Sequence, residues 1–165
     1  MRERVGKPSV IICDIDRVII DSREWEKHIP EDNKDREGWK KFLKFNYLAK
    51  PNKFMINFVT LLSKIFPIFF VTSRENYSNS RVIAKTQISN FSDGKLKVGP
   101  LYPNKLFMRD AEDYREAHEV KEDILKNKIL PNYQPILAID DNDENIAMFK
   151  RHGIRTFHYK GLKNG

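Results

Sequence analysis

The stretch Ile11-Ile12-Cys13-Asp14-Ile15-Asp16 decides the fold of this chain. Together with Val10 its apolar residues predict a buried strand over Val10–Cys13 that stops at two carboxylates two residues apart. Open α/β sheets bind their ligands beyond the carboxyl ends of their strands. Asp14 falls at the strand tip. Asp16 opens the following loop with its side chain on the same side, because strand side chains alternate. One such carboxylate can attack an electrophile or hold a metal while the other moves a proton. A D-x-D by itself is usually a solvated strand end, so its meaning depends on the rest of the chain.

Beyond Asp16 the chain alternates strands with helices. Residues 36–46 place Trp39, Phe42 and Leu43 at helical spacing, and these aromatics read as core rather than as base-stacking platforms. Pro51 is placed to open the next helix, with Phe54, Phe58, Leu61, Leu62 and Ile65 on one face, and Pro67 stops it. Ile68–Val71 reads as a second buried strand. A polar start at Asn76–Ser80 leads into a helix near 79–90, and Leu106–Met108 is a short third strand. His118–Lys128 is an amphipathic helix with Val120, Ile124 and Leu125 inward. Ile136–Ile139 is a fourth strand, Asn142–His152 a helix closed by Gly153 at C′, and Thr156–Tyr159 a fifth strand. The alternation predicts an α/β fold with a doubly wound parallel sheet. Residues 1–165 read as one domain, in which the polar segment 21–35 is a loop or small insertion over the sheet's edge, within a wider candidate insertion or cap at 21–50.

Three strand ends carry groups suited to phosphate. Beside Asp14 and Asp16 stand Thr72-Ser73-Arg74 after the second strand and Asp140-Asp141 after the fourth. Hydroxyls hydrogen-bond phosphoryl oxygens, and a guanidinium grips them bidentately. Clustered carboxylates need a cation, and oxygen-only ligation suits Mg²⁺. Lys121 offers a second positive charge.

Composition sets bounds. The chain has 165 residues, 40% hydrophobic and 32% charged, enough for one domain with a real core. No apolar run reaches the ~18–20 residues that span a bilayer, and Met1-Arg2-Glu3-Arg4 shows no signal-peptide pattern. A single cysteine, Cys13, excludes internal disulfides and cysteine-rich zinc sites and reads as a small buried hydrophobe. A cytoplasmic location is the resulting expectation. The net charge of +7 admits a polyanionic partner but also simple solubility. From Arg36 to Lys53 there are six Lys/Arg and one acid, and no acid comes after Glu144, while Lys150, Arg151, Arg155, Lys160 and Lys163 do. Two such basic segments are compatible with a phosphate-backbone track.

The motifs I-I-C-D-I-D, F-F-V-T-S-R, the lysine of H-E-V-K, and L-A-I-D-D-N-D-E-N resemble, in order, the four motifs of the haloacid dehalogenase (HAD) superfamily. The run from Met108 to Leu125, the A-I-D-D and M-F-K-R-H-G-I segments, and the W-x-x-F of Trp39 and Phe42 resemble the 3′-phosphatase domain of phage-type polynucleotide kinases and their bacterial relatives. The resemblance implies a HAD-like sheet with a minimal cap or none. It implies Asp14 as the nucleophile that forms an aspartyl-phosphate and Asp16 as the acid/base. Mg²⁺ would be held by Asp14, the Asp16 carbonyl and Asp141, with Asp140 direct or through water. Thr72 and Lys121 would hold phosphoryl oxygens, with Ser73, Arg74, Arg17, Arg109 and Arg115 toward the substrate.

Three positions leave the family's pattern. Arg17 and Val18 stand where Gly and Thr usually come after the D-x-D, and Ala117 stands where an acid usually precedes the lysine by four residues. Only 57 residues separate Asp14 from Thr72 and 46 separate Arg74 from Lys121, which leaves no room for a large lid and favours a macromolecular end as substrate. The chain therefore reads as a Mg²⁺-dependent phosphatase acting on a polynucleotide 3′-phosphate. The alternatives are a 5′(3′)-nucleotidase or other small-ester phosphatase, and a catalytically weakened nucleic-acid-binding module. Oligomeric state is not legible.

Overall fold

The computed structural model of the protein describes residues 6–32, 34–76 and 79–161. Met1–Arg4, Lys163, and Tyr77 and Ser78 of the predicted polar helix start lie outside the described residues. β1 (Ser9–Cys13) runs through the middle, with Val10 to Cys13 all buried. The chain then makes β2 (Ile20–Asp21), a 3₁₀ turn (Arg23–His28), α1 (Arg36–Asn46), β3 (Lys50–Pro51) and α2 (Lys53–Leu62). It continues through β4 (Ile68–Glu75), α3 (Ser80–Phe91), β5 (Lys105–Arg109) and α4 (Ala117–Ile124), which passes into a π-helical turn over Leu125–Ile129. β6 (Gln134–Asp140), α5 (Asp143–Arg151) and β7 (Thr156–His158) close the fold.

Among the described residues, five strands form a parallel sheet in the order β5-β4-β1-β6-β7. The chain steps outward from β1 through β4 to β5, then returns to the other side for β6 and β7. The point where it reverses lies between β1 and β6, and such switch points open the crevice in which doubly wound folds bind ligands. The Asp14 amide donates to the Ile139 carbonyl at 2.9 Å, carrying the β1–β6 ladder to the first carboxylate.

Alternation along β1 divides the core between the two faces of the sheet. Val10 and Ile12 pack with Phe69, Val71, Val120, Ile124, Met148 and Phe149 on one face. Ile11 and Cys13 pack with Ile68, Phe70, Met55, Val59, Ala84 and Ile88 on the other. A strand apolar on both faces is the signature of a sheet covered by helices on each side.

Several boundaries differ from the sequence reading. β4 continues through Thr72-Ser73-Arg74 to Glu75, with a register shift against β5 between Thr72 and Glu75. The second helix is opened by Asn52, whose side chain caps Met55 N at 3.3 Å, while Pro51 lies in β3. This helix is apolar on more than one side, and it buries Met55, Ile56 and Val59. Phe54, Leu61 and Ile65 point outward, with Phe54 66% and Ile65 71% exposed.

The segment predicted to lie over the sheet's edge sits elsewhere. β2 and β3 pair antiparallel, and the 3₁₀ turn and α1 between them cover the carboxyl ends of the strands beside Asp14. Stacking of Trp25 on Phe45 (centroids 5.4 Å apart, planes at 9°) and of His28 on Phe45 (4.1 Å, 16°) joins the turn to α1. Gly38 is required within α1. The Asp35 carboxylate caps Gly38 N at 2.9 Å, and a Cβ at Gly38 would collide with that carboxylate and with Pro30. The predicted core face also divides: Phe42 and Leu43 are buried, whereas Trp39 is half-buried and lines the cavity above Asp14.

Phe69, fully buried in β4, packs edge-on against Tyr133 (4.7 Å) and beside Phe107 (5.5 Å). Phe69→Ala is expected to lower unfolding free energy by roughly 3–5 kcal/mol, as read by urea denaturation.

Candidate active site

Lys121 organises the site. The side chain of Glu119 accepts the Glu116 amide at 3.0 Å, a capping box that fixes the start of α4 one turn before the lysine. From there Lys121 reaches the switch point fully buried and places its Nζ 3.0 Å from Asp14 Oδ1 and 2.7 Å from Asp140 Oδ2. Burial alone would pull the lysine down, but the two carboxylates outweigh it and hold the ammonium charged. The other oxygen of Asp140 accepts Asn142 N at 3.1 Å and Asn145 Nδ2 at 2.9 Å, which fixes its orientation.

Asp14, Asp140 and Asp141 each offer an oxygen within 4.8 Å of the others. Burial pushes Asp14 well above the usual carboxylate range, with Lys121 opposing and the neighbouring acids adding to the rise. Burial and then Asp140 push Asp141 up as well, against Arg17. Three crowded carboxylates facing one buried ammonium retain an excess of negative charge, and their all-oxygen donor set fits a hard divalent cation.

Asp16 faces the same cavity but is held differently. Arg74 grips it bidentately, Nε to Oδ2 at 2.8 Å and Nη2 to Oδ1 at 2.7 Å, and Asn46 Nδ2 donates to Oδ1 at 2.7 Å. Burial raises Asp16, but the charge and hydrogen bonds of Arg74, with Asn46, outweigh it and bring the carboxyl below its ordinary range. Arg74 is itself buried and donates to Gln87 Oε1 at 2.9 Å, while Gln87 Nε2 donates to the Asn46 carbonyl at 2.8 Å. The sequence reading turned Arg74 toward a substrate phosphate. The structure turns it toward Asp16, which it orients.

The remaining predicted residues fall into two groups. Ser73, Arg17 and Arg109 line the cavity. Arg109 works as a strut, donating to the carbonyls of Ser73 (2.8 Å), Asp113 (2.7 Å) and Arg115 (2.5 Å) and so shaping the loop after β5. Thr72 is buried with its hydroxyl accepting Arg74 N at 3.2 Å, and Arg115 is turned away onto Asp113 at 2.6 Å; neither is on the cavity wall. For Arg115 the reason is local, because the Asp113 carboxylate two residues back captures the guanidinium. Asn46, Gln87 and Asn145 went unforeseen. They come from three helices and carry no local signal, although Asn145 lies within the D-D-N-D-E-N motif.

Arg17 has φ of 59°, the left-handed region that favours glycine. Its guanidinium lies 2.5 Å from Glu26 and 3.5 Å from Asp141. Glycine, usual at this place in the superfamily, would relieve the turn, and the arginine adds a cation beside a candidate metal ligand.

The parallel sheet, the switch-point acids and the buried lysine define a HAD-type phosphatase. A family model for the polynucleotide kinase PNKP phosphatase domain matches residues 8–161, and the chain belongs to that family. None of the curated proteins compared with the sequence matches it. Solved structures share the fold at low identity. A structure of the Pnkp1/Rnl/Hen1 complex aligns with TM-score 0.69 and 16% identity, over 96% of this chain and 48% of that one. A haloacid dehalogenase-like hydrolase from Streptococcus pneumoniae aligns with TM-score 0.59 and 16% identity, over 92% and 84%. A class C acid phosphatase from Bacillus anthracis with tungstate bound gives 0.52 and 13%, over 95% and 68%. The chain thus spans about half the length of the Pnkp1 structure it resembles. Among the described residues no helix is long and apolar enough to cross a membrane.

Two outcomes are expected. Lys121→Met leaves Asp14 and Asp140 facing each other in a buried site, and urea unfolding should show a loss of roughly 3–5 kcal/mol. Arg17→Gly relieves the backbone and gives up a half-exposed ion pair, so stability should change by less than about 1 kcal/mol. Mg²⁺ binding, titrated by calorimetry, should be tighter than in the wild type, because Asp141 loses its competing cation.

Proposed function

We propose that the protein is a Mg²⁺-dependent phosphomonoesterase that removes a 3′-phosphate from a polynucleotide end through an aspartyl-phosphate on Asp14. The observation that carries this reading is the convergence of Asp14, Asp140 and Asp141 on the buried Lys121, in a chain of the PNKP phosphatase-domain family.

Asp14, Asp140 and Asp141 would hold the metal, with the Asp16 carbonyl completing the protein's share. The bound ion would supply charge neutralisation, the dominant need in phosphoryl transfer. Lys121 opposes the burial-driven rise of Asp14 and aims its carboxylate. An Asp14 carboxylate oxygen attacks phosphorus as the bond to the 3′-oxygen breaks. Asp16, which Arg74 favours as a carboxylate, would have to take up a proton before passing one to the leaving oxygen. Asp16, now a carboxylate, then takes a proton from the water that attacks phospho-Asp14, which releases phosphate and restores Asp14. The grip of Arg74 and Asn46 holds Asp16 in the orientation both transfers need and favours the carboxylate form used in the second. Ser73 and Arg17, which line the cavity, would meet phosphoryl oxygens in this reading.

The test is phosphate release from a 3′-phosphorylated oligonucleotide, a 5′-phosphorylated one and mononucleotides. Release should be confined to the 3′-phosphorylated oligonucleotide, depend on Mg²⁺, stop with EDTA and be abolished by Asp14→Asn. Equal turnover of mononucleotides overturns the polynucleotide assignment and supports a nucleotidase.

A further inference from the structure

α2 carries two apolar stripes, and the sheet covers only one. Met55, Ile56 and Val59 face the core. Phe54, Phe58, Leu61 and Ile65 form the second, at spacings of four, three and four residues. That is the heptad spacing by which one helix seats another. The helical turn persists past Leu62, since Phe66 N donates to the Leu62 carbonyl at 3.0 Å, so Ile65 stays in line. Phe54, Leu61 and Ile65 are each more than half exposed, and Phe58 is half-buried. Single exposed apolar residues need no explanation, but a contiguous stripe marks an interaction surface.

The stripe borders a part of the sheet that lacks cover. Phe58 meets Phe157 of β7 edge-on, with centroids 5.6 Å apart and planes at 79°, so the stripe flanks the last strand of the sheet. Leu137 and Phe157 are only partly buried on this face, whereas α5 packs on β6 and β7 from the other. The second helix of this face, α3, stands toward the opposite edge, where Arg81 Nη1 reaches the Leu106 carbonyl of β5 at 3.1 Å. A parallel sheet buries both faces under helices, and beside α2 there is room for one more.

Charge selects the occupant. From Gly38 to Arg74 the chain contains no acid. Lys53 stands at one end of the stripe and Lys64 at the other, both exposed and neither ion-paired among the described residues. Arg155, exposed just before β7, lies at the same edge of the sheet as Lys64. A second copy of the chain would set lysine against lysine whether its α2 ran parallel or antiparallel. A helix with acids beside its apolar seam meets a cation at each end.

We propose that the outer stripe of α2 and the adjoining face of β7 form a docking groove for an acidic amphipathic α-helix of a partner protein, which completes the helical layer on this side of the sheet. None of the four stripe residues lines the cavity above Asp14, and the groove does not depend on the phosphatase reading.

The probes are two synthetic three-heptad peptides with leucine at a and d, one with glutamate and one with lysine at e and g. Binding of each labelled peptide to the full chain is read by fluorescence anisotropy. The glutamate peptide should bind roughly tenfold more tightly than the lysine peptide. Leu61→Asp and Ile65→Asp should each weaken it by about tenfold or more, with unchanged circular dichroism and urea midpoint because both positions are exposed. Lys53→Glu/Lys64→Glu should reverse the preference toward the lysine peptide, a gain that loss of fold cannot produce. Binding of neither peptide, or of both equally, overturns the groove, as does indifference to Leu61→Asp. Sedimentation as a dimer that Ile65→Asp dissolves gives the stripe to a second copy. Flotation with phosphatidylcholine–phosphatidylglycerol vesicles that Ile65→Asp abolishes gives it to a lipid surface. Either result overturns the proposal.

Discussion

The buried ammonium of Lys121 between Asp14 and Asp140 is the constraint on which the site depends. A charge taken out of water is tolerated only when its partners are close and well aligned. That requirement fixes α4 against the ends of β1 and β6 and sets the geometry of the switch point. The same contact keeps two carboxylates in place that would otherwise repel. Asp141, just beyond, tips the balance to excess negative charge, and this excess gives a divalent cation a reason to bind. Lys121 thus has a structural and a chemical role that are one interaction.

A second network carries this order outward. Asp16 is held by Arg74, Arg74 by Gln87, and Gln87 by the main chain of Asn46, whose side chain returns to Asp16. The loop closes through β4, α3 and the end of α1, so the orientation of a reactive carboxylate depends on how α1 sits over the sheet. Arg36 at the other end of α1 ties it to Glu75 and Glu112. The short segment between β2 and β3 is therefore anchored to the core at both ends of its helix. It forms one wall of the cavity above Asp14.

Arg17 shows what the departure from a family pattern does locally. A non-glycine residue in the left-handed region is tolerated here because its side chain is tethered by Glu26 and lies near Asp141. The substitution exchanges backbone ease for a cation at the rim of the site.

Most of the fold was legible because it rests on local pattern. Val10–Cys13 is apolar on both faces, a strand of that kind must be covered on both sides, and alternating helices supply the cover. That Asp14, Lys121, Asp140 and Asp141 come together was legible for a related reason: the acids lie at the ends of parallel strands and the lysine on the helix that leads into β6, where topology brings distant residues together. Whatever depended on side-chain direction over long range was decided by tertiary structure. Helix periodicity does not say which stripe of α2 faces the sheet, so Met55 and Val59 were buried in place of Phe54 and Ile65. It likewise does not tell a core aromatic from a cavity wall, which is how Trp39 came to line the site. Arg74 and Arg115 each pair with a carboxylate, and an arginine's partner is set by the finished fold. Sequence by itself determined which strands end in acids and hydroxyls; the packing of α1, α3 and the loop after β5 decided which way the charged and aromatic side chains point, because burial and pairing energies exist only once those elements have met.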